Sequence, residues 1–293
     1  MRDGGQGGQD RQAGRPAEPG RPVELLRDLD RPGAWLLLAG GVPQSHIDLR
    51  DPRHLELPYV HWLGHLIDLA APPGAPLRAL HLGGGGLTLA RYLAATRPGS
   101  RQLAVEASAE VAGLVRRRLP LARPGQPGSG PGGITVRIAD ARAAVADLET
   151  GSFDVVVADV FAGGQTPAHL TSVEFTAAVA RVLAPGGWYA VNVGDGPPLG
   201  HTRGRAAATA SVFRYACLIA EADVLAGHGF GNLVIAAADR PLPIARLARL
   251  AGAGPDPAQV VSGAALGRLI AGWPPIIDAD AQPSPPPPPE TFA

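Results

Sequence analysis

Three acidic residues and one glycine run have the types and spacing for nucleoside chemistry. Glu106, Asp140 and Asp159 each close a short, mostly apolar run, and residues 83–86 are four consecutive glycines at the end of another. Glycine lets the backbone approach a ligand closely, and a helix starting just after the run would offer free N–H groups and its positive dipole end. Because Glu106 follows about 20 residues later, its carboxylate is placed to accept hydrogen bonds from both hydroxyls of a ribose.

The acids can be divided among the parts of a nucleoside substrate. Glu106 would bind ribose hydroxyls, and Asp140 with Ala141 would contact the exocyclic amine and ring of adenine. Asp159 would then face the reacting centre, where a carboxylate can accept a proton from an attacking amine or stabilise a positive charge. A structural alternative stays open, since turn acids commonly cap helices and Asp140 precedes an expected helix.

Strands must alternate with helices to bring these residues together. Apolar runs separated by amphipathic stretches predict an α/β fold with a doubly wound, mostly parallel sheet of seven strands, preceded by a short β-hairpin at 34–49. Strands at 215–220 and 232–238 have no helix between them, which predicts an antiparallel edge. Helices are expected at 244–250 and 257–270. In such sheets the ligand binds beyond the carboxyl ends of the strands.

Composition shifts divide the chain into five segments. Residues 1–22 and 281–293 have little to bury, the second containing five consecutive prolines, and both are expected to be disordered. Between them we expect a hairpin-plus-helix element at 23–70, a nucleoside-binding domain at 71–240 and C-terminal helices at 241–280.

Charge and cysteine content narrow the function classes. The formal net charge is zero, so no electrostatic case exists for nucleic acid or an anionic membrane. Cys217 is the only cysteine, which excludes an intrachain disulfide. No secretory or membrane-spanning segment is apparent, which predicts a cytoplasmic protein. His54, His61 and His65 are close in sequence, but no third ligand of suitable spacing accompanies the last two, so no metal is predicted.

The motifs as a set resemble those of the spermidine synthase (polyamine aminopropyltransferase) family, over about residues 34–238. Each matching stretch corresponds to a nucleoside- or amine-binding motif of that family: Gly41-Val42-Pro43-Gln44, Tyr59 with His65, Gly83-Gly84-Gly85, Val105-Glu106, Asp140-Ala141 and Asp159.

The resemblance implies a Rossmann-like sheet of the class I methyltransferase type and aminopropyl transfer from decarboxylated S-adenosylmethionine to a diamine such as putrescine. It also implies a homodimer. It assigns three roles: catalysis to Asp159, amine binding to Tyr59 and His65, and nucleoside binding to Gln44, Gly83, Gly84, Gly85, Glu106, Asp140 and Ala141.

Two departures keep other functions open. Gly86 stands where the family's glycine motif has an aspartate, and Ala162 stands where its second catalytic-loop aspartate would be. Burying an ammonium group without carboxylate partners is costly. A methyltransferase using S-adenosylmethionine itself, and a non-catalytic nucleoside-binding protein, are therefore the alternatives.

Overall fold

The computed structural model describes residues 22–121 and 133–288. Disorder was predicted for residues 1–22 and 281–293. Of these, residues 1–21 and 289–293 lie outside the described residues. In the part of the chain that is described, no helix is long and apolar enough to cross a membrane.

A small antiparallel sheet precedes the main domain. Its strands are β1 (Val23–Arg27), β2 (Ala34–Ala39) and β3 (Val42–Asp48), in that order. Gly40 and Gly41 form the β2–β3 turn with φ of 64° and 81°, a region that glycine enters without steric cost. The predicted hairpin is thus present. Strand β1 was missed because it is short and largely exposed, so its sequence lacks a strong apolar pattern.

The main sheet has eight strands, one more than predicted. They are β4 (Arg78–Leu82), β5 (Arg101–Glu106), β6 (Gly133–Ile138), β7 (Phe153–Ala158), β8 (Leu183–Asp195), β9 (Tyr215–Glu221), β10 (Gly231–Ala238) and β11 (Ala258–Ser262). The order is β11-β9-β10-β8-β7-β4-β5-β6. Strands β4 to β8 are parallel, whereas β9, β10 and β11 pair antiparallel.

In the described part of the chain, nine α-helices connect or flank these strands. They are α1 (Pro58–Leu69), α2 (Thr88–Thr96), α3 (Ala109–Arg118), α4 (Ala141–Asp147), α5 (Val173–Val182), α6 (Gly200–Val212), α7 (Ala222–Leu225), α8 (Ile244–Ala253) and α9 (Gly263–Ile270), with a 3-10 turn at Ala168–Leu170. The helix predicted at 257–270 was wrong in its first part, because Ala258–Ser262 pairs with β9 as the outermost strand. Strands β9 and β10 therefore pair as predicted but do not form the edge.

Both faces of the sheet are covered, which makes the fold doubly wound as predicted. Successive residues of β7 point to opposite faces: Val156 belongs to one buried cluster and Val157 to the other. A third cluster joins Leu37 and Ile47 of the small sheet to Leu87 beside α2. This apolar contact holds the small sheet over the carboxyl edge of the main sheet.

The segment 281–288 packs against the domain, so the prediction of disorder was wrong for these residues. Ser284 is fully buried; its Oγ accepts the N–H of Thr166 at 2.8 Å, and its own N–H donates to the Thr166 carbonyl at 3.0 Å. Prolines on either side lack N–H groups, but a single Ser can dock through its own backbone and hydroxyl. The docked segment brings Pro287 to the mouth of the cleft described below.

The strand order places a ligand crevice between β4 and β7. From β4 the chain runs outward through β5 and β6, then returns to pair β7 with the other side of β4. Ligands bind at such switch points in open α/β sheets. The backbone N–H of Asp159, just after β7, donates to the Leu82 carbonyl at 2.8 Å, which fixes the catalytic candidate beside the glycine turn.

Candidate functional site

A cleft of about 880 Å³ lies over the carboxyl ends of the parallel strands, between the main and small sheets. Nine of the ten residues predicted from the sequence line it: Gln44, Tyr59, Gly83, Gly84, Gly85, Glu106, Asp140, Ala141 and Asp159. Its volume is within the range of small-molecule sites, about 300–1,000 Å³.

The first glycine is required by the close approach of two strand ends. Gly83 has φ of 90°, and a Cβ built there would lie 1.9 Å from the carbonyl oxygen of Asp159. At Gly86 a Cβ would lie 2.3 Å from Ile47 of the small sheet. The glycine run therefore allows both neighbours to close around the cleft floor.

Glu106 is bonded to the glycine turn itself. Its Oε2 accepts the N–H groups of Gly84 at 3.1 Å and Gly85 at 2.9 Å, and its Oε1 accepts the N–H of Ser108 at 2.8 Å. The N–H groups of Gly84 and Gly85, in the turn before α2, are thus paired with this acid and do not face the ligand. A carboxylate has about four lone-pair positions, so Glu106 keeps acceptor capacity for a hydroxyl.

Asp140 caps α4, which is the structural alternative considered for it, and it also lines the cleft. Its Oδ1 accepts the N–H of Ala143 at 3.0 Å as the cap of α4, and its Oδ2 lies 2.7 Å from Nε2 of His169. Burial by itself would raise the pKa of Asp140, but these bonds outweigh it and the net pKa is lowered. Asp140 therefore lines the cleft as an ionised acceptor.

Asp159 is the most perturbed carboxyl group of the cleft. The buried Asn192 of β8 donates from Nδ2 to its Oδ1 at 2.9 Å, and the Tyr59 hydroxyl also interacts with it. Desolvation raises the pKa of Asp159 to about 6, although the Asn192 and Tyr59 bonds act in the opposite direction. The same burial, and then Asp159 itself, hold the pKa of Tyr59 well above its usual value. A carboxyl group with a pKa of about 6 is suited to accept a proton close to neutral pH.

The small sheet supplies the roof of the cleft. Gln44 of β3 lines it, and the neighbouring Ser45 Oγ accepts the Gly86 N–H at 3.1 Å. The Thr88 hydroxyl of α2 also donates to the His46 carbonyl at 2.8 Å. Two hydrogen bonds thus connect β3 to the start of α2 and position Gln44.

His65 does not join the cleft. It lies six residues after Tyr59 on α1, which at about 100° per residue turns it about 120° away and moves it about 9 Å along the axis. His61 is also engaged, because its Nε2 contacts the Leu55 carbonyl. The amine-binding role predicted for His65 is therefore not supported by its position.

Sequence reasoning missed several residues that line the cleft or contact its side chains. Asn192 lies in a continuous apolar strand and would have been found only as a polar residue inside that run. Phe161 and Phe230 approach Gly194 from both sides, each within 3.5 Å of a Cβ built there, and line the cleft. Pro287 gave no signal, since it belongs to a proline run with no periodicity.

The charge of the cleft is of one sign. Among the described residues that line it, the ionisable side chains other than Tyr59 are Glu106, Asp140 and Asp159, and no arginine or histidine is included. Such a cleft favours cationic ligands and gives no side-chain cation to pair with an anion.

Comparisons with solved structures agree with this geometry. The chain is similar to a probable spermidine synthase from Corynebacterium glutamicum, with 33% identity over 87% of this chain and 92% of that chain and a TM-score of 0.79. It is also similar to spermidine synthase from Thermotoga maritima, with 20% identity over 78% of this chain and 74% of that chain and a TM-score of 0.55. Human methyltransferase-like protein 13, solved in complex with SAH, is 22% identical over 72% of this chain and 89% of that chain, with a TM-score of 0.51. The last two likenesses show the fold alone.

Sequence comparisons are sparser. A protein-family profile described as a methyltransferase domain matches residues 80–191. No curated protein matches the chain. The matched range begins in β4 and ends in β8, so it spans the parallel strands that carry the cleft floor. The predicted Rossmann-like fold of the class I methyltransferase type is confirmed.

Proposed function

Because the chain belongs to the spermidine synthase family, we propose that it transfers an aminopropyl group from decarboxylated S-adenosylmethionine to a polyamine such as putrescine. The coarser assignment, an S-adenosylmethionine-dependent transferase, is supported by the methyltransferase-domain match and by the spermidine synthase neighbours. The choice of donor and acceptor is our inference from the site. The homodimer implied by the family resemblance remains a prediction.

The observation that carries the proposal is the acidic lining of the cleft. S-adenosylmethionine has a carboxylate that its decarboxylated form lacks, and no arginine or histidine among the described lining residues is available to pair with it. The decarboxylated donor carries a sulfonium and an ammonium, and a diamine acceptor is also cationic. The carboxyl groups of Glu106, Asp140 and Asp159 attract all of these charges.

The nucleoside half of the donor fits the side of the cleft below β4 and β5. Glu106 would accept a ribose hydroxyl with its remaining lone pair, and Asp140 and Ala141, at the start of α4, would contact adenine. Gln44 would close over the same ligand from the small sheet. The sulfonium would then lie towards Asp159.

The chemical step is a displacement at carbon. The lone pair of a neutral amine nitrogen attacks the aminopropyl carbon attached to sulfur, forming the N–C bond as the C–S bond breaks. Its electron pair leaves with sulfur, giving the neutral thioether methylthioadenosine. The new ammonium group loses a proton, and Asp159 is placed to accept it directly or through one water. Asn192 and Tyr59 orient the carboxylate for this step.

The departure at Ala162 affects the amine more than the nucleoside. Ala162 and Gln165 close a tight turn through reciprocal backbone hydrogen bonds of 2.8 and 3.2 Å, so the turn is built without a second acid. Asp159 is thus the acid next to the amine end of the cleft. Weak amine binding with intact donor binding is the expected consequence.

Methyl transfer from S-adenosylmethionine is the second candidate, favoured by the methyltransferase-domain match. The deciding experiment incubates the full chain with putrescine and either donor and identifies products by mass spectrometry. We expect spermidine and methylthioadenosine from the decarboxylated donor only, with kcat/KM falling as pH decreases below about 6, because Asp159 must be ionised.

Variants separate binding from chemistry in this assay. Asp159→Asn should abolish transfer while leaving donor binding, measured by calorimetry, within about threefold. Methylated product from S-adenosylmethionine would establish the second candidate instead. If neither donor binds and neither raises Tm, both enzyme proposals are refuted. The non-catalytic alternative would then also lack a ligand.

A further inference from the structure

A second cluster of polar side chains lies beside the cleft, at the base of the small sheet. His46 of β3 meets His54 and Glu56, which precede α1, and one ligand atom from each lies within 4.8 Å of the others. The set differs from the histidines compared in the sequence, because His46 reaches it only through folding of the hairpin.

His46 is prepared as a ligand. The residue is 6% exposed, its Nε2 is 2.9 Å from Asp28 Oδ2, and its Nδ1 is buried with no partner among the described residues. Because an ionised carboxylate only accepts, Nε2 must carry a proton, and in a neutral ring Nδ1 then carries a lone pair. A buried acceptor left without a partner costs free energy, so Nδ1 requires something to bind.

The Asp28–His46 pair has a known chemical meaning. Metal-bound histidines almost always donate their other ring N–H to a carboxylate or carbonyl, which orients the ring and makes the ligand nitrogen more basic. The other oxygen of Asp28, Oδ1, accepts the backbone N–H groups of Asp30 at 2.9 Å and Arg31 at 3.0 Å, which fixes the carboxylate beside His46. The partner of the orphaned nitrogen can therefore be a metal ion.

His54 and Glu56 can complete the ligand set. Their side chains are 27% and 52% exposed, and His54 Nε2 lies 2.7 Å from Glu56 Oε2. Bonds of about 2.0–2.2 Å in a tetrahedral site place ligand atoms about 3.3–3.5 Å apart, so the His54–Glu56 pair would separate by roughly 0.7 Å while both side chains close on His46 by at most about 1.4 Å. Both lie on a connecting segment rather than inside a strand or helix, which leaves their side chains free to make this adjustment.

We propose that His46 Nδ1, His54 and Glu56 bind a divalent first-row transition metal of the zinc class. Two imidazoles and one carboxylate suit this class, and a three-ligand site keeps a fourth position open for water. His46 and Glu56 also line a cavity of about 40 Å³ that Tyr59 and Asp159 share. That volume holds about three waters at roughly 10–15 Å³ each. Because Tyr59 and Asp159 line the same cavity, the metal would lie next to the amine end of the cleft.

The test measures metal binding directly, without any nucleoside. Full-length protein carrying no affinity tag is treated with chelator, dialysed and titrated with Zn²⁺ by calorimetry, with bound metal counted by elemental analysis. We expect one Zn²⁺ per chain, a rise in Tm on binding, and for Co²⁺ the visible absorption of a four-coordinate site. Mg²⁺ should not compete, because the donors are mainly nitrogen.

Matched variants locate the ion. His54→Ala and Glu56→Gln should each weaken Zn²⁺ binding at least tenfold, and Asp28→Asn by about 10–100-fold as an outer partner. His228→Ala removes an exposed imidazole elsewhere and should leave binding unchanged. The two half-exposed ligands carry the test, since substitution of buried His46 could unfold the small sheet.

Two results would overturn the proposal. One is wild-type protein that shows no saturable Zn²⁺ binding and no change in Tm, which would mean that water satisfies His46. The other is binding that survives both His54→Ala and Glu56→Gln, which would place the ion elsewhere. Neither outcome depends on the transferase assay, and an inactive transferase would not affect the metal titration.

Discussion

Replacing Asp159 by Asn should stabilise the unliganded protein at neutral pH. Desolvation raises the pKa of this carboxyl group from 3.8 to about 6. One pKa unit corresponds to 1.36 kcal/mol, so the ionised group lowers the free energy of unfolding by up to about 3 kcal/mol. Asparagine keeps an acceptor oxygen for the Asn192 N–H at 2.9 Å but carries no charge.

The pH dependence gives this prediction its sign. Below pH 3.8 both folded and unfolded states are protonated, and the substitution should have little effect. Between about pH 3.8 and 6 the unfolded state ionises while folded Asp159 keeps its proton, so the wild type loses stability that Asp159→Asn retains. Above pH 6 the gain should be constant.

Urea denaturation followed by tryptophan fluorescence at pH 4, 5, 6 and 7.5 measures the effect. Asp154→Asn, on the strand β7 that leads to Asp159, is the control of opposite sign. Burial alone would raise the pKa of Asp154, but Arg78, 2.6 Å away, outweighs it and lowers the pKa, so this variant should lose stability at pH 7.5 and less at low pH. A pH-independent gain for Asp159→Asn, or none at pH 7.5, would contradict the desolvation of Asp159.

Three further substitutions test other contacts. Glu106→Gln places an amide N–H group against backbone N–H groups, so the affinity for decarboxylated S-adenosylmethionine, measured by calorimetry, should fall by about 1–3 kcal/mol. Unchanged affinity would contradict the ribose role of Glu106. Gly83→Ala places a Cβ 1.9 Å from a carbonyl oxygen and should lower the free energy of unfolding by several kcal/mol, whereas Gly74→Ala, also at positive φ but with nothing within 4 Å, should cost only about 1 kcal/mol. Equal losses would show that backbone strain and not the clash decides. Ser284→Ala leaves the buried Thr166 N–H unpaired and should lower the free energy of unfolding by about 1–3 kcal/mol; no change would mean that the C-terminal segment does not contribute to stability.

The sequence alone was sufficient for the local architecture. Glycines 83–86 between an apolar run and an amphipathic stretch, with Glu106 at the end of the next strand, predict a strand–turn–helix–strand unit, because turn chemistry and side-chain period are local properties. The carboxyl ends of parallel strands meet at one edge, so Asp140 and Asp159 could be placed in the same cleft before the structure was known. The family resemblance added the roles of Gln44 and Tyr59, which the strand and helix patterns of their segments do not indicate.

Only the tertiary structure decided what depends on contacts between distant segments. Asp159 has an unusual pKa because tertiary packing buries it, and the hydrogen bonds from Asn192 and Tyr59, on another strand and a helix, offset only part of that effect. Ser284 docks because Thr166, 118 residues earlier in the chain, presents a matching backbone edge.

The errors have the same origin. His65 matched a motif but is turned away by the rotation of its helix, and a strand at 258–262 was read as helix because a short amphipathic run suits both. Local residue patterns specify backbone conformation and periodicity, whereas the side of an element that meets the cleft, and the water it excludes, depend on how the elements pack together.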